Sequence, residues 1–236
     1  MEHQIHKQTS WAVAYDASLV EAPGVETFDA DYWRSRQALT GQAVGRGSAW
    51  FIEAPFGPVV LRRYLRGGWA AALSREHYVY TGVSTSRPFR EYHLLAAMRE
   101  LELPVPRPVA ALCQHRGMLS KGAIITKRIL NTRPLADMLA DDCPDHRTWA
   151  EIGACIHRFH DKGIWHADLN ARNILLDGDA RVFLIDFDRA SFTPGEPVDG
   201  KGNLKRLKRS LIKLWPRAEN AGVEEAWKNL MAGYDA

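Results

Sequence analysis

The sequence predicts an α+β chain in two parts, a β-rich first part over residues 1–130 and a reduced helical second part over residues 131–236. Three observations carry this. A tight-turn signal at Phe56-Gly57 separates two runs with strand texture, one entering at Ala49–Ile52 and one over Pro58–Tyr64. Two more such runs, Val109–Cys113 and Gly122–Ile129, follow a single helical pattern. Beyond residue 131, apolar residues recur mainly at helical spacing, interrupted by one short pair of strands.

Taken in order, the first forty residues are the least informative, with a short helix expected within Asp29–Leu39. Gly45-Arg46-Gly47-Ser48 reads as a glycine-rich turn whose N–H groups can come close to a ligand, leading into the first hairpin. The stretch from Arg66 to Arg87 carries no assignable pattern. Pro88 at a first helical turn precedes Phe89–Met98, and the proline-broken Leu103–Pro108 closes that helix. In the second part, helices are expected at Leu135–Ala140 and Trp149–Asp161, the latter stopped by Gly163. Strands Asn173–Leu176 and Val182–Ile185 flank a turn at Asp177-Gly178, and two helices follow near Leu204–Trp215 and Glu224–Tyr234.

Composition narrows the function. The 236 residues are 25% charged, 46% hydrophobic and 10% aromatic, which excludes disorder as the main state. No stretch approaches the ~18–20 apolar residues that span a bilayer. Met1–Lys7 lacks the apolar run of a signal peptide. Cys113, Cys143 and Cys155 form no CxxC pair, so a reducing compartment fits better than a disulfide framework or structural zinc. A net charge of +3 does not imply nucleic acid as a partner.

The chemistry concentrates in His166-Ala167-Asp168-Leu169-Asn170-Ala171-Arg172-Asn173, followed across the strand pair by Ile185-Asp186-Phe187-Asp188. A lone Asp or Asn is most often a turn residue. An Asp, an Asn five residues on and a second Asp after a strand turn form a phosphotransferase arrangement. Asp168 can accept the proton of an attacking hydroxyl, while Asn173 and Asp186 can hold Mg²⁺ against nucleotide phosphates. Hard oxygen ligands suit that ion, and phosphates and waters complete its shell. His157, His160 and His166 are clustered, but His166 is expected to lie beneath the loop and hold its backbone, with His160 in the core or supporting the loop.

With Arg62-Arg63-Tyr64, Arg66-Gly67-Gly68, Arg90-Glu91 and the His166–Asn170 loop, the chain resembles the lipopolysaccharide kinases of the protein-kinase-like superfamily over about residues 30–220. The resemblance implies a bilobal protein-kinase-like fold. It also implies ATP- and Mg²⁺-dependent phosphorylation of the Kdo sugar of a lipid A precursor at the 4-hydroxyl. Carried over residue by residue, Asp168 is the catalytic base, and Asn173 and Asp186 are the metal ligands. Gly45 and Gly47 cover the nucleotide phosphates, Arg62 binds them, and Glu91 orients that cation. Kinases usually carry Lys at the Arg62 position, and a guanidinium fork is not equivalent to a point charge. Arg63 points to the other face of its strand, so the choice between the two depends on register. Asp188 replaces the usual Gly after the metal-binding pair. A soluble kinase of the aminoglycoside or choline type shares this loop and is the competing reading; a catalytically dead binding module is disfavoured because all three polar residues are retained.

Fifty residues follow Asp186 (236 minus 186), and no Ala-Pro-Glu signal appears among them, so a small or lipid-linked acceptor is expected rather than a protein. Between Gly200 and Arg217 lie Lys201, Lys205, Arg206, Lys208, Arg209, Lys213 and Arg217, with no acid. Leu204, Leu207, Leu211, Leu214 and Trp215 form a stripe beside them. A basic amphipathic segment of this kind can lie on an anionic membrane surface or pack on the second lobe with its cations solvated. The resulting expectation is a peripheral protein on the cytoplasmic face of the bacterial inner membrane.

Overall fold

The computed structural model describes residues 1–43, 49–64, 78–141, 143–215 and 220–236. The glycine turn Gly45–Ser48, the Arg66-Gly67-Gly68 segment and Arg217 fall outside the described residues. The chain divides into two compact units that are not contiguous in sequence. The first comprises Met1–Ala97 and Pro106–Arg128; the second comprises Met98–Val105 and Ile129–Ala236.

The first unit is built on an antiparallel sheet. Its strands are β1 (His3–Lys7), β2 (Trp11–Asp16), β3 (Leu39–Gln42), β4 (Ala49–Ala54), β5 (Gly57–Arg63), β6 (Tyr78–Val79), β7 (Pro108–Arg116) and β8 (Leu119–Lys127). Their order is β1-β2-β7-β8-β5-β4-β3, with β6 also paired to β8. The hairpin expected about Phe56-Gly57 is β4–β5, in which Ile52 pairs with Val59 and Trp50 with Leu61. The β1–β2 hairpin has no counterpart in the sequence reading. Four of the five residues of β1 are exposed, and β2, Trp-Ala-Val-Ala-Tyr-Asp, is buried along nearly its whole length. Neither strand shows the alternation that marks a half-buried strand.

One sheet face carries the apolar core, with Val13, Ile52, Val59, Leu61 and Ile125 packed around Phe28 and Trp33. Trp33 belongs to the helix α1 (Ala30–Ser35), which lies within the expected range and starts at an Asp29 cap, whose side chain accepts from the Asp31 N–H. The helix α2 (Arg87–Glu100) is joined to the sheet through Tyr92, whose hydroxyl lies 3.1 Å from His3 Nδ1, and through Glu91 on Arg62.

The second unit contains β9 (Thr132–Pro134), α3 (Leu135–Asp141), α4 (His146–Asp161), β10 (Ile164–Trp165), β11 (Ile174–Asp177), β12 (Val182–Leu184), β13 (Ser191–Phe192), α5 (Lys201–Leu214) and α6 (Asn220–Tyr234). β11 is central to a three-stranded sheet between β12 and β9, and β10 pairs with β13. α4 begins three residues before Trp149, because the Asp145 carboxylate accepts from the Thr148 N–H and caps it. It ends with Gly163 at φ +78, a left-handed conformation that suits glycine. α4 and α6 approach backbone to backbone. A methyl group at Gly153 would stand 1.9 Å from the Leu230 carbonyl, and one at Gly233 would stand 2.0 Å from that of Ala150.

The stripe of α5 is core: Leu204, Leu207 and Leu211 are buried. Each such burial contributes about 1.5–3 kcal/mol, against on the order of 1 kcal/mol for a cation near an anionic membrane. Packing therefore claims the leucines, and only the basic face of α5 remains for an external partner.

Asp16 gives a test of the first unit. Its carboxylate is inaccessible to solvent and accepts from the Glu2 N–H (3.0 Å), the Ser18 hydroxyl (2.7 Å) and Arg107 Nη2 (2.6 Å). Burial pushes its pKa up, but the bonds from Ser18, Glu2 and Arg107 win and bring it down to about 2. The stability it contributes is present above its ordinary 3.8 and is lost as pH falls towards about 2. Asp16→Asn is expected to lower unfolding stability at neutral pH by about 1–3 kcal/mol, read as a shift in the urea midpoint.

Candidate active site

The loop between β10 and β11 is shaped by its own polar side chains. Asn170 Oδ1 accepts from the Arg172 N–H at 2.9 Å, starting a short 3₁₀ turn over Ala171–Asn173. The Asp168 carbonyl accepts from Asn170 Nδ2 at 2.8 Å and from Asn173 Nδ2 at 2.9 Å. These bonds hold the backbone at Asp168 and occupy the nitrogen of Asn173, so the amide oxygen of Asn173 is its remaining donor towards a cation. The Ile185 N–H donates to the Asn173 carbonyl at 3.0 Å, which brings the residue before Asp186 directly against Asn173. Asp186 has φ +63, a left-handed conformation uncommon for a residue with a side chain, and one of its carboxylate oxygens is turned out of solvent.

His166 links the two halves of this site. Its Nδ1 accepts from the Asp168 N–H at 3.1 Å, so Nε2 carries the proton and donates to the Ile185 carbonyl at 3.0 Å. The His166 peptide is held in turn by Asn203 of α5. Asn203 Nδ2 donates to the His166 carbonyl at 2.7 Å, and Asn203 Oδ1 accepts from the His166 N–H at 3.0 Å. The same oxygen accepts from His160 Nε2 at 3.0 Å, leaving His160 Nδ1 to accept from the Tyr234 hydroxyl at 2.8 Å. His160 and His166 thus support the loop, as expected from the sequence.

α5 contacts the loop at two further points. Arg206 Nη1 donates to Asp168 Oδ1 at 2.7 Å, and the Ser210 hydroxyl accepts from the Ala171 N–H at 3.2 Å. Asn203 and Ser210 escaped the sequence reading, and Arg206 was read there only as a cation of the basic segment, because all three look like the solvated face of a basic helix. Their i, i+3, i+7 spacing was the available signal.

In the first unit, Arg62 Nη2 donates to both oxygens of Glu91, at 2.6 and 2.5 Å, and Glu91 is only 4% exposed. The Tyr64 hydroxyl donates to the same carboxylate at 2.5 Å. Arg63 turns to Asp29, 3.1 Å away. Strand alternation separates the two cations: Val59 and Leu61 face the apolar core, which sends Arg62 to the α2 side. Gly45 and Gly47, expected to cover phosphates, lie outside the described residues.

Each unit by itself holds parts of the kind used in phosphoryl transfer: the second a polar loop with the hard oxygens of Asn173 and Asp186, the first a strand Arg held by a helix Glu. Among the described residues, no three His, Cys, Asp or Glu side chains come together as a metal cluster. The family model described as "Lipopolysaccharide kinase (Kdo/WaaP) family" matches residues 30–234. The chain belongs to that family. A protein named 3-deoxy-D-manno-octulosonic acid kinase from Stenotrophomonas maltophilia strain K279a is 43% identical over 224 residues, covering 95% of this chain and 89% of the relative. Proteins of the same name from Xanthomonas euvesicatoria pv. vesicatoria strain 85-10 and Vibrio vulnificus strain YJ016 are 39% and 34% identical, again over 95% of this chain and over 89% and 94% of their own lengths. Membership makes the chain a phosphotransferase acting on a hydroxyl group, and a kinase family implies use of ATP.

The buried imidazole under the loop gives a pH prediction. Burial pushes the pKa of His160 below its ordinary value, against the upward pull of the Asn203 bond. A group that binds its proton less readily when folded contributes stability that is full above the unfolded value, about 6.5 for His, and falls as pH drops below it. Urea unfolding at about pH 8 and about pH 5.5 is expected to show a smaller acid loss in His160→Gln than in the wild type. Equal losses would assign the acid sensitivity to other groups.

Proposed function

We propose that this chain transfers the γ-phosphoryl group of ATP to the 4-hydroxyl of the Kdo sugar on a lipid A precursor. Its relatives' shared name supports the sugar. The observation that carries the chemistry is the loop that holds Asp168 and Asn173 five residues apart, with Asp186 brought beside Asn173. Asp168 accepts the proton of the acceptor hydroxyl as its oxygen bonds to the γ-phosphorus and the bond to the bridging oxygen breaks, releasing ADP. Asn173 and Asp186 fit Mg²⁺, since both offer hard oxygens and the Asn173 nitrogen is already engaged. An ion held by these two residues would supply positive charge against the phosphates.

The two units act as the two lobes of a protein-kinase-like enzyme. The first supplies Arg62, held by Glu91, for the nucleotide phosphates; the second supplies the loop and the metal ligands. Among the described residues, no helix is long and apolar enough to cross a membrane. A lipid-linked acceptor is then met peripherally, at the cytoplasmic face of the inner membrane. The cations of α5 suited to an anionic surface are Lys205, Arg209 and Lys213, all exposed. Arg206 and Lys208 are committed to Asp168 and Glu224.

Asp168→Asn is expected to fold and to lose about 10²–10⁴-fold in turnover of a Kdo-lipid A acceptor, followed by ADP release. Asp186→Ala should abolish the response to added Mg²⁺. Near-native turnover in Asp168→Asn would remove it from the base role. Phosphorylation of aminoalcohols or free sugars in place of the Kdo-lipid would favour a soluble small-molecule kinase. Replacing Lys205, Arg209 and Lys213 together by Gln should weaken binding to anionic vesicles while sparing a delipidated acceptor. Wild-type binding should itself weaken as salt rises.

A further inference from the structure

One cation in the second unit has an unusual position. Arg206 bonds Asp168 Oδ1 at 2.7 Å, and the two side chains are 47% and 57% exposed, so the pair lies open to whatever occupies the loop. A surface ion pair of this kind contributes little to stability. Its placement is nevertheless closely controlled. Asn203, one turn before Arg206, is buried and makes two hydrogen bonds to the His166 peptide. Ser210, one turn after it, accepts from the Ala171 N–H. Arg206 is therefore carried to the proton-accepting carboxylate by anchors on both sides, while its guanidinium stays accessible.

A fixed, accessible guanidinium beside the residue that receives the acceptor hydroxyl suits recognition of an anion on the acceptor itself. The relatives' name makes their sugar an acid, and a sugar acid carries its carboxylate on the same small framework as its hydroxyls. A hydroxyl presented to Asp168 brings that carboxylate close to α5. The Arg fork matches a carboxylate in two parallel hydrogen bonds, which a Lys ammonium does not do.

We infer that Arg206 is the residue by which this enzyme selects an acidic sugar: it binds the acceptor carboxylate and in doing so releases Asp168 Oδ1. With no acceptor bound, the same guanidinium rests on Asp168. One guanidinium thereby couples recognition to catalysis, because a neutral sugar offers nothing to draw Arg206 off the carboxylate.

The inference rests on the Kdo-acceptor reading, and a single set of acceptors separates the two. The full-length wild type and Arg206→Gln are each assayed on a Kdo-lipid A acceptor and on the same glycolipid with its carboxylate converted to the primary amide. The amide should lower the wild-type kcat/KM by about ten- to a hundredfold, the range for a hydrogen bond to a charged group. Arg206→Gln should lose a similar factor on the acid, lose little more on the amide, and keep its KM for ATP. Arg206→Lys should recover part of the loss on the acid. Equal losses on acid and amide in Arg206→Gln would overturn the inference and leave Arg206 as a positioning residue for Asp168. Undiminished use of the acid by that variant would overturn it as well. If the wild type phosphorylates neither glycolipid, the Kdo reading fails and the inference falls with it.

Discussion

The second unit depends on one buried amide. Asn203 is 1% exposed and satisfies both the N–H and the carbonyl of His166, while its oxygen also accepts from His160. No apolar residue can do this, whereas a primary amide carries a donor and an acceptor in one plane. Unpaired buried groups cost about 1–3 kcal/mol each, so removing Asn203 would strand three of them at once. Through this amide the α4 core, the α5 helix and the loop become one rigid piece, and His166 passes that rigidity on to Ile185 and Asp186.

The first unit solves a related problem with charge. Glu91 is buried and would be costly alone, so it is held by Arg62 and the Tyr64 hydroxyl together. The arrangement keeps a guanidinium at a fixed point on β5. One guanidinium nitrogen, Nη2, engages both oxygens of the carboxylate.

Much of this was legible in the sequence because the signals were local. The Phe56-Gly57 hairpin, the Pro88 helix start, the Gly163 stop and the Asp168–Asn173 spacing each lie within a few residues, and the structure places elements there. The choice of Arg62 over Arg63 as the partner of Glu91 required strand register, which pairing across the sheet sets. β1 and β2 were missed because one is mostly exposed and the other almost wholly buried, so neither alternates. The loop contacts of Asn203, Arg206 and Ser210 were missed for a different reason. A polar helical face looks the same in sequence whether it meets water or a polar loop, and only the tertiary fold distinguishes the two.

The contact between α4 and α6 has a consequence for the whole assembly. Where Gly153 meets the Leu230 carbonyl and Gly233 meets that of Ala150, the two helices touch through main chain, and main chain has no rotamers with which to absorb a change. The crossing acts as a spacer of fixed thickness. The height at which Tyr234 presents its hydroxyl to His160 is set by peptide groups, not by the interlocking of side chains around them. Substitutions elsewhere in the apolar core can therefore be accommodated by repacking without altering the distance on which the loop's support depends.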